Sequence, residues 1–135
     1  MIDASALVAL MAREPESDAV ASRIAEWIRD GLELHAPELA RYETANALTR
    51  KVGIGELDAA DLSAVWAELD AMPIIYHRLG DGAAVIQVAV RMERRSAFDA
   101  AYVELACELG AELWTLDGPL ARNAASRGFA VNLID

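Results

Sequence analysis

Four acidic residues stand where their side chains could do chemistry. Asp3 follows a short apolar start in Ile2-Asp3-Ala4-Ser5, and Asp117 follows a later apolar run in Thr115-Leu116-Asp117. Asp99 opens a helical pattern in Phe98-Asp99-Ala100-Ala101, and Glu43 lies one turn into a second pattern, in Glu43-Thr44-Ala45-Asn46. Taken singly, Asp3, Asp99 and Asp117 read as helix N-caps, Asp117 also as an ordinary turn residue before Gly118-Pro119, and Glu43 as a surface charge. Taken together they are a different object. Several carboxylates in one pocket repel each other and rise in pKa, and a divalent cation removes that penalty. Ligands that offer oxygen alone suit Mg²⁺, with Mn²⁺ as a substitute, and such a cation makes a coordinated water a nucleophile.

The elements that must position these residues alternate between short apolar runs and helical patterns, as in an α/β fold with a parallel sheet. A very short strand is expected at Met1–Ile2, then a helix from about Ser5. A helix from near Glu16 to Asp30 carries Val20, Ile24, Trp27 and Ile28 on one face and ends at Gly31. Leu32–Ala36 is the next strand, and Pro37 is expected to open a helix running to about Val52. Asp58 or Asp61 caps a helix whose buried stripe is Leu62, Val65, Trp66, Leu69 and Met72. These last two helices are expected to form an antiparallel hairpin. A strand at Pro73–His77, helices at Gly80–Val90 and Phe98–Leu109, a strand at Glu112–Thr115, a helix at Pro119–Arg127 and a strand at Phe129–Leu133 complete the chain. Asp3 and Asp117 thus both lie beyond the carboxyl ends of strands, where parallel α/β sheets bind ligands.

Composition narrows the classes. With 135 residues, 55% of them hydrophobic, the chain is expected to be one domain with a real core and no disordered tract. No apolar run approaches the roughly 18–20 residues of a membrane span. The start carries Asp3 and no basic leader, so a cytoplasmic protein is expected rather than a secreted one. Cys107 is the only cysteine, which excludes an intramolecular disulfide and a cysteine-built zinc site; it reads as a buried helix residue. His35 and His77 fall in strand candidates away from the acidic motifs and read as structural. The net charge of −10 is unusual for a nucleic-acid binder, but a cation or a local arginine cluster can still hold phosphate.

The segments Met1-Ile2-Asp3-Ala4-Ser5-Ala6-Leu7, Glu43-Thr44-Ala45-Asn46-Ala47-Leu48, Phe98-Asp99-Ala100-Ala101-Tyr102 and Thr115-Leu116-Asp117, in this order, resemble the PIN-domain family. The likeness is to its VapC-type members, toxin ribonucleases of type II toxin–antitoxin systems. It spans nearly the whole chain and implies a single PIN domain over residues 1–135. The implied fold is a three-layer α/β/α arrangement, with a central parallel sheet of about four or five strands wrapped by helices. The implied activity is metal-dependent endonucleolytic cleavage of RNA. The family's acidic quartet falls on Asp3, Glu43, Asp99 and Asp117, and its supporting hydroxyls on Ser5 and Thr115; Asn123 is close enough in sequence to contribute. Asp3, Asp99 and Asp117 are then the expected ligands of one or two Mg²⁺ ions. Glu43 is expected to bind through water or to orient the attacking water. The likeness also implies a homodimer and a cognate antitoxin that occupies the active-site groove. Only two residues precede Asp3, fewer than is usual in the family, so the platform beneath it is expected to be short.

RNA must also be held. Arg94 and Arg95 precede the helix of Asp99 and are the expected phosphate contacts. Arg91, Arg122 and Arg127 are the other bases near the motifs, and a solvated helix face suits Arg127 best. Two rival chemistries fit less well. A Mg²⁺-dependent phosphatase or phosphotransferase commonly has a second aspartate two residues after the first, where this chain has Ser5. A non-catalytic adhesion-type metal module would continue to a second serine where this chain has Leu7. An inactive family member acting only through its partner is disfavoured by the intact quartet.

Overall fold

The computed structural model describes residues 1–135. Its helices are α1 (Ala4–Met11), α2 (Ser17–Arg29), α3 (Leu39–Gly53), α4 (Leu62–Ala71), α5 (Gly82–Arg91), α6 (Phe98–Leu109) and α7 (Gly118–Ser126). Its strands are β1 (Leu34–Pro37), β2 (Ile74–His77), β3 (Leu113–Thr115) and β4 (Val131–Leu133). The class is α/β, as the alternation of patterns predicts.

The strands form two parallel pairs, β1 with β2 and β3 with β4. Residues 1–3 join the pairs. Ile2 bridges in parallel to Trp114, with the Trp114 N–H donating to the Met1 carbonyl at 3.0 Å and the Asp3 N–H to the Trp114 carbonyl at 3.2 Å. On the other side the Ile2 N–H donates to the His35 carbonyl at 3.0 Å. The layer therefore runs β2, β1, residues 1–3, β3, β4, and its middle member is the short strand expected at Met1–Ile2. So brief a strand makes few ladder bonds, but Ile2 is wholly buried in the main apolar cluster with Leu7, Met92 and Leu113. Burying a side chain of that size contributes roughly 1.5–3 kcal/mol, more than the net value of a typical hydrogen bond.

Several boundaries move for local reasons. Pro37 ends β1 rather than opening a helix, because pairing continues past it: the Glu38 N–H donates to the His77 carbonyl at 2.7 Å, and the helix starts only at Leu39. Asp58 caps a short 3-10 turn, Ala59–Asp61, through the Ala60 N–H at 2.9 Å, and α4 begins after it. Asp81 sets the start of α5 by accepting from Ala83 and Ala84 at 2.8 and 3.2 Å. Gly110 stops α6 in the left-handed region, at φ +60°, where a Cβ would be strained. The expected hairpin of α3 and α4 is loose: the backbone of each helix packs on α1, and side chains span the gap between the two, Arg41 of α3 pairing with Asp70 of α4 at 2.8 Å and stacking on Trp66. Trp66 is half-buried against the core from α4. Cys107 corrects its expectation. Tyr102, Val103 and Ala106 of α6 are buried, but the last turn of the helix lies in the open and Cys107 is exposed with it. The histidines are structural, as expected: His35 Nδ1 and His77 Nε2 lie 2.9 Å apart across β1 and β2.

Candidate functional site

The first strand segment ends at Asp3, and the turn into α1 fixes the orientation of its carboxylate. Oδ1 accepts from the Ser5 hydroxyl at 2.6 Å and from the Ala6 N–H at 3.3 Å, which is also the N-cap bond of α1. Oδ2 accepts from the Thr115 hydroxyl at 2.6 Å. The two hydroxyls in turn accept from the next segment: Ser5 Oγ from the Leu116 N–H and Thr115 Oγ1 from the Asp117 N–H, each at 2.9 Å. Each hydroxyl has one proton, and both are spent on Asp3. Ser5 and Thr115 thus couple Asp3 to the backbone that carries Asp117. Only 6% of Asp3 is exposed. Its pKa is raised, by burial first and by the nearby negative charge of Asp117, against the lowering effect of its hydrogen bonds.

Asp117 lies past the end of β3 and caps α7, with Oδ1 accepting from the Leu120 N–H at 2.8 Å. The capping role proposed for Asp3 and Asp117 as a bland alternative is therefore real, and it occupies only part of each carboxylate. Asp99 sits in the first turn of α6, half-buried, where Arg94 Nη2 lies 3.3 Å from its Oδ2. Its pKa is also raised, chiefly by burial; Arg94 lowers it and Asp117 raises it. Glu43 projects from α3 and accepts a short hydrogen bond from the Tyr102 hydroxyl on α6. Burial raises its pKa, the Tyr102 bond opposes that, and the charge of Asp99 adds to it. Burial and Glu43 push Tyr102 far upward, so its phenol stays protonated and remains a donor.

All four carboxylates line one open cavity of about 710 Å³ beyond the carboxyl ends of the strands. Ser5 and Tyr102 line it as well, and so do Glu14, Glu16 and Arg50, which the motifs did not single out. No three acidic, histidine or cysteine side chains converge closely enough to seat a metal ion as they stand. Asp99 is paired with Arg94 and Glu43 is held by Tyr102. The donor set still fits a hard cation. Every candidate ligand is an oxygen, no sulfur or imidazole reaches the cavity, and the charge coupling links Asp3 with Asp117, Asp117 with Asp99, and Asp99 with Glu43.

The arginines distribute differently from expectation. Arg94 is engaged with Asp99, and neither it nor Arg95 lines the cavity. Arg91 and Arg127 tie α5 to the end of α7: Arg127 Nη1 donates to the Arg91 carbonyl at 2.9 Å, and Arg91 stacks on Phe129. Asn123 also lies outside the cavity. Tyr102 is the supporting residue that the carboxylate pattern alone missed. Its place in Asp99-Ala100-Ala101-Tyr102, one turn after Asp99, was the available signal.

A family model described as PIN domain matches residues 1–125. This chain belongs to the PIN-domain family. Ribonuclease VapC3 of Mycobacterium tuberculosis (strain H37Rv) is 36% identical over 126 residues, covering 90% of this PIN domain's chain and 85% of the relative's. Ribonuclease VapC3 of Pyrobaculum aerophilum is 33% identical over 128 residues, covering 90% and 91%. Among solved structures, the crystal structure of PAE2754 from Pyrobaculum aerophilum superposes with a TM-score of 0.71 at 27% identity, over 98% of this chain and 81% of that one. No helix of the chain is long and apolar enough to cross a membrane.

Proposed function

We propose that this PIN domain is a Mg²⁺-dependent endoribonuclease and the toxin of a toxin–antitoxin pair. The observation that carries the reading is the single cavity that gathers Asp3, Glu43, Asp99 and Asp117 at the strand ends. Membership of a family whose curated relatives are named ribonucleases supports it.

Asp3, Asp99 and Asp117 would hold the cation, and Mn²⁺ can replace Mg²⁺ there. Bound, the ion would offset charge on the scissile phosphate and acidify the attacking water. The protein's own groups do the rest. Ser5 and Thr115 fix Asp3 so that neither oxygen turns away, which keeps the site preorganised for charge that develops in the transition state. Tyr102 holds Glu43 at the cavity wall, where its carboxylate can accept a proton from water or orient that water. Ser5 is no nucleophile, since its proton is committed to Asp3. The test is cleavage of a panel of RNAs with Mg²⁺ or Mn²⁺, with and without EDTA. Cleavage that survives EDTA, or that persists in Asp99→Asn, rules the mechanism out.

Two partners belong to the same reading. A cognate antitoxin would present basic residues to the acidic cavity, in keeping with the net charge of −10. A second copy would cover a separate groove of about 400 Å³ that is lined by exposed Tyr42, Leu79 and Phe98. Large exposed apolar surfaces of this kind mark protein contacts. Cytoplasmic action, where RNA and an antitoxin are both met, belongs to the same reading. Co-expression with a candidate antitoxin, followed by loss of cleavage, tests the first partner, and molar mass in solution tests the second.

A further inference from the structure

A phosphodiester chain entering a cavity lined by six carboxylates needs a cation that the protein has not already neutralised. Half of the twelve bases are ion-paired. Arg23, Arg41, Arg78, Arg94 and Arg127 are ion-paired, and Lys51, beside the cavity, is held by Glu14 at 2.6 Å and Glu56 at 2.9 Å. Arg50 differs: it is exposed, has no carboxylate within ion-pair distance, and is the one basic residue that lines the cavity. Its position follows from helical geometry. Glu43, Ala47 and Arg50 are spaced four and three residues apart and form one stripe of α3, all three lining the cavity. The same helix face that presents the acid thus presents an unpaired guanidinium two turns farther on.

A second cation lies against the cavity-lining residue Gly118. Gly118, in the cavity lining at the start of α7, leaves open the space where a Cβ would meet Arg122 Nη1 at 3.0 Å. The Arg122 guanidinium therefore rests over the backbone at the edge of the site, next to Asp117, and is also free of any carboxylate partner. Guanidinium groups match phosphate geometry, and each exposed contact adds affinity together with salt dependence.

We propose that Arg50 and Arg122 bracket the acidic cavity and bind the RNA phosphates on either side of the one being cleaved, with Arg50 the deeper contact. The inference rests on the ribonuclease reading but is tested apart from cleavage. Binding of a short fluorescein-labelled single-stranded RNA with phosphorothioate linkages is followed by anisotropy in Mg²⁺ across a salt series. Arg50→Gln is expected to weaken binding roughly tenfold and to flatten the plot of log affinity against log salt by about 0.7, the value for one single-strand phosphate contact. Arg122→Gln gives a smaller loss, the double variant flattens the slope further, and Arg50→Glu weakens binding more than Arg50→Gln. Arg29→Gln, at an exposed unpaired arginine of α2 outside the cavity, leaves both affinity and slope unchanged. Normal affinity and slope in Arg50→Gln overturn the proposal, as does a loss confined to Arg95→Gln, or an unmodified chain that does not bind RNA at all. If the chain binds RNA with these slopes but does not cleave it, the bracket stands and the catalytic reading falls.

Discussion

Helices α3 and α6 separate two hollows of opposite character. On one side Glu43, Ala47 and Arg50 of α3 and Asp99 and Tyr102 of α6 line the acidic cavity. On the other, Leu39 and Tyr42 of α3 and Phe98, Ala101 and Leu105 of α6 line an apolar groove. Neighbours in sequence go to different hollows: Tyr42 is 76% exposed beside half-buried Glu43, and Phe98 is 59% exposed beside half-buried Asp99. The difference teaches that burial here does not sort residues by polarity. The acids are drawn inward at a cost in desolvation and repulsion, while large apolar groups are left outward. Each departs from what a stability optimum would choose, and such departures mark functional surfaces.

The sharpest way to break this pairing is to change one member of each neighbour pair. Asp99→Asn is expected to lower RNA cleavage by at least about a hundredfold with the fold retained. Phe98→Ser is expected to leave cleavage per chain within about twofold and to shift the molar mass toward the monomer, as read by light scattering. Loss of cleavage in both variants would mean that the two hollows act as one. Next in size is Tyr102→Phe, which frees Glu43 from its donor; positioning groups of this kind are typically worth about 10–100-fold in activity or metal affinity. Full activity in Tyr102→Phe would detach Glu43 from the chemistry.

Thr115→Val has a smaller effect, on stability. It leaves Asp3 Oδ2 and the Asp117 N–H without their partner at a wholly buried position, so a cost of about 1–3 kcal/mol is expected in denaturant unfolding. Smaller again is the dependence on pH. Asp3, Glu43 and Asp99 all have raised pKa values in the folded chain. Well below the usual carboxylate range they are protonated in both folded and unfolded states and contribute no pH dependence. As pH rises from there through the raised folded values, the unfolded state releases protons first, so these three groups progressively destabilise the metal-free protein. Mg²⁺ is therefore expected to raise the Tm more at pH 7 than at pH 4. An equal shift at the two pH values would show that the acids do not share a cation.

Much of this division was legible in the chain. Asp3 and Asp117 could be placed because strand ends and turn residues announce themselves locally, and the span of α6 follows from its periodicity and the stop at Gly110. The parts that were not legible depend on distance. Glu14 reaches the cavity from a segment past the end of α1 that carries no motif, and only the packing of α3 on α1 brings it in, whereas Arg50 shares α3 with Glu43. The spacing from Glu43 would have flagged Arg50 had the stripe been extended one turn. Arg94 looked like a phosphate contact because sequence shows a charge but not its partner, Asp99, five residues on. Cys107 was misjudged because its spacing from buried Ala100 and Val103 points inward, whereas the last turn of α6, from Cys107 to Gly110, lies in the open and only the packing of the chain decides that.

The bond between Asp3 and Thr115 spans 112 residues. A ribosome makes Thr115 a full 112 residues after Asp3. At typical synthesis rates of about 5–20 residues per second, roughly ten seconds separate them. Throughout that interval the nascent chain has only Ser5 and Ala6 to hold Asp3, and neither the middle of the sheet nor the cavity above it can close. The cavity is therefore the last part of this fold to take shape: the segments of Asp3, Glu43 and Asp99 all wait for the one that carries Thr115 and Asp117.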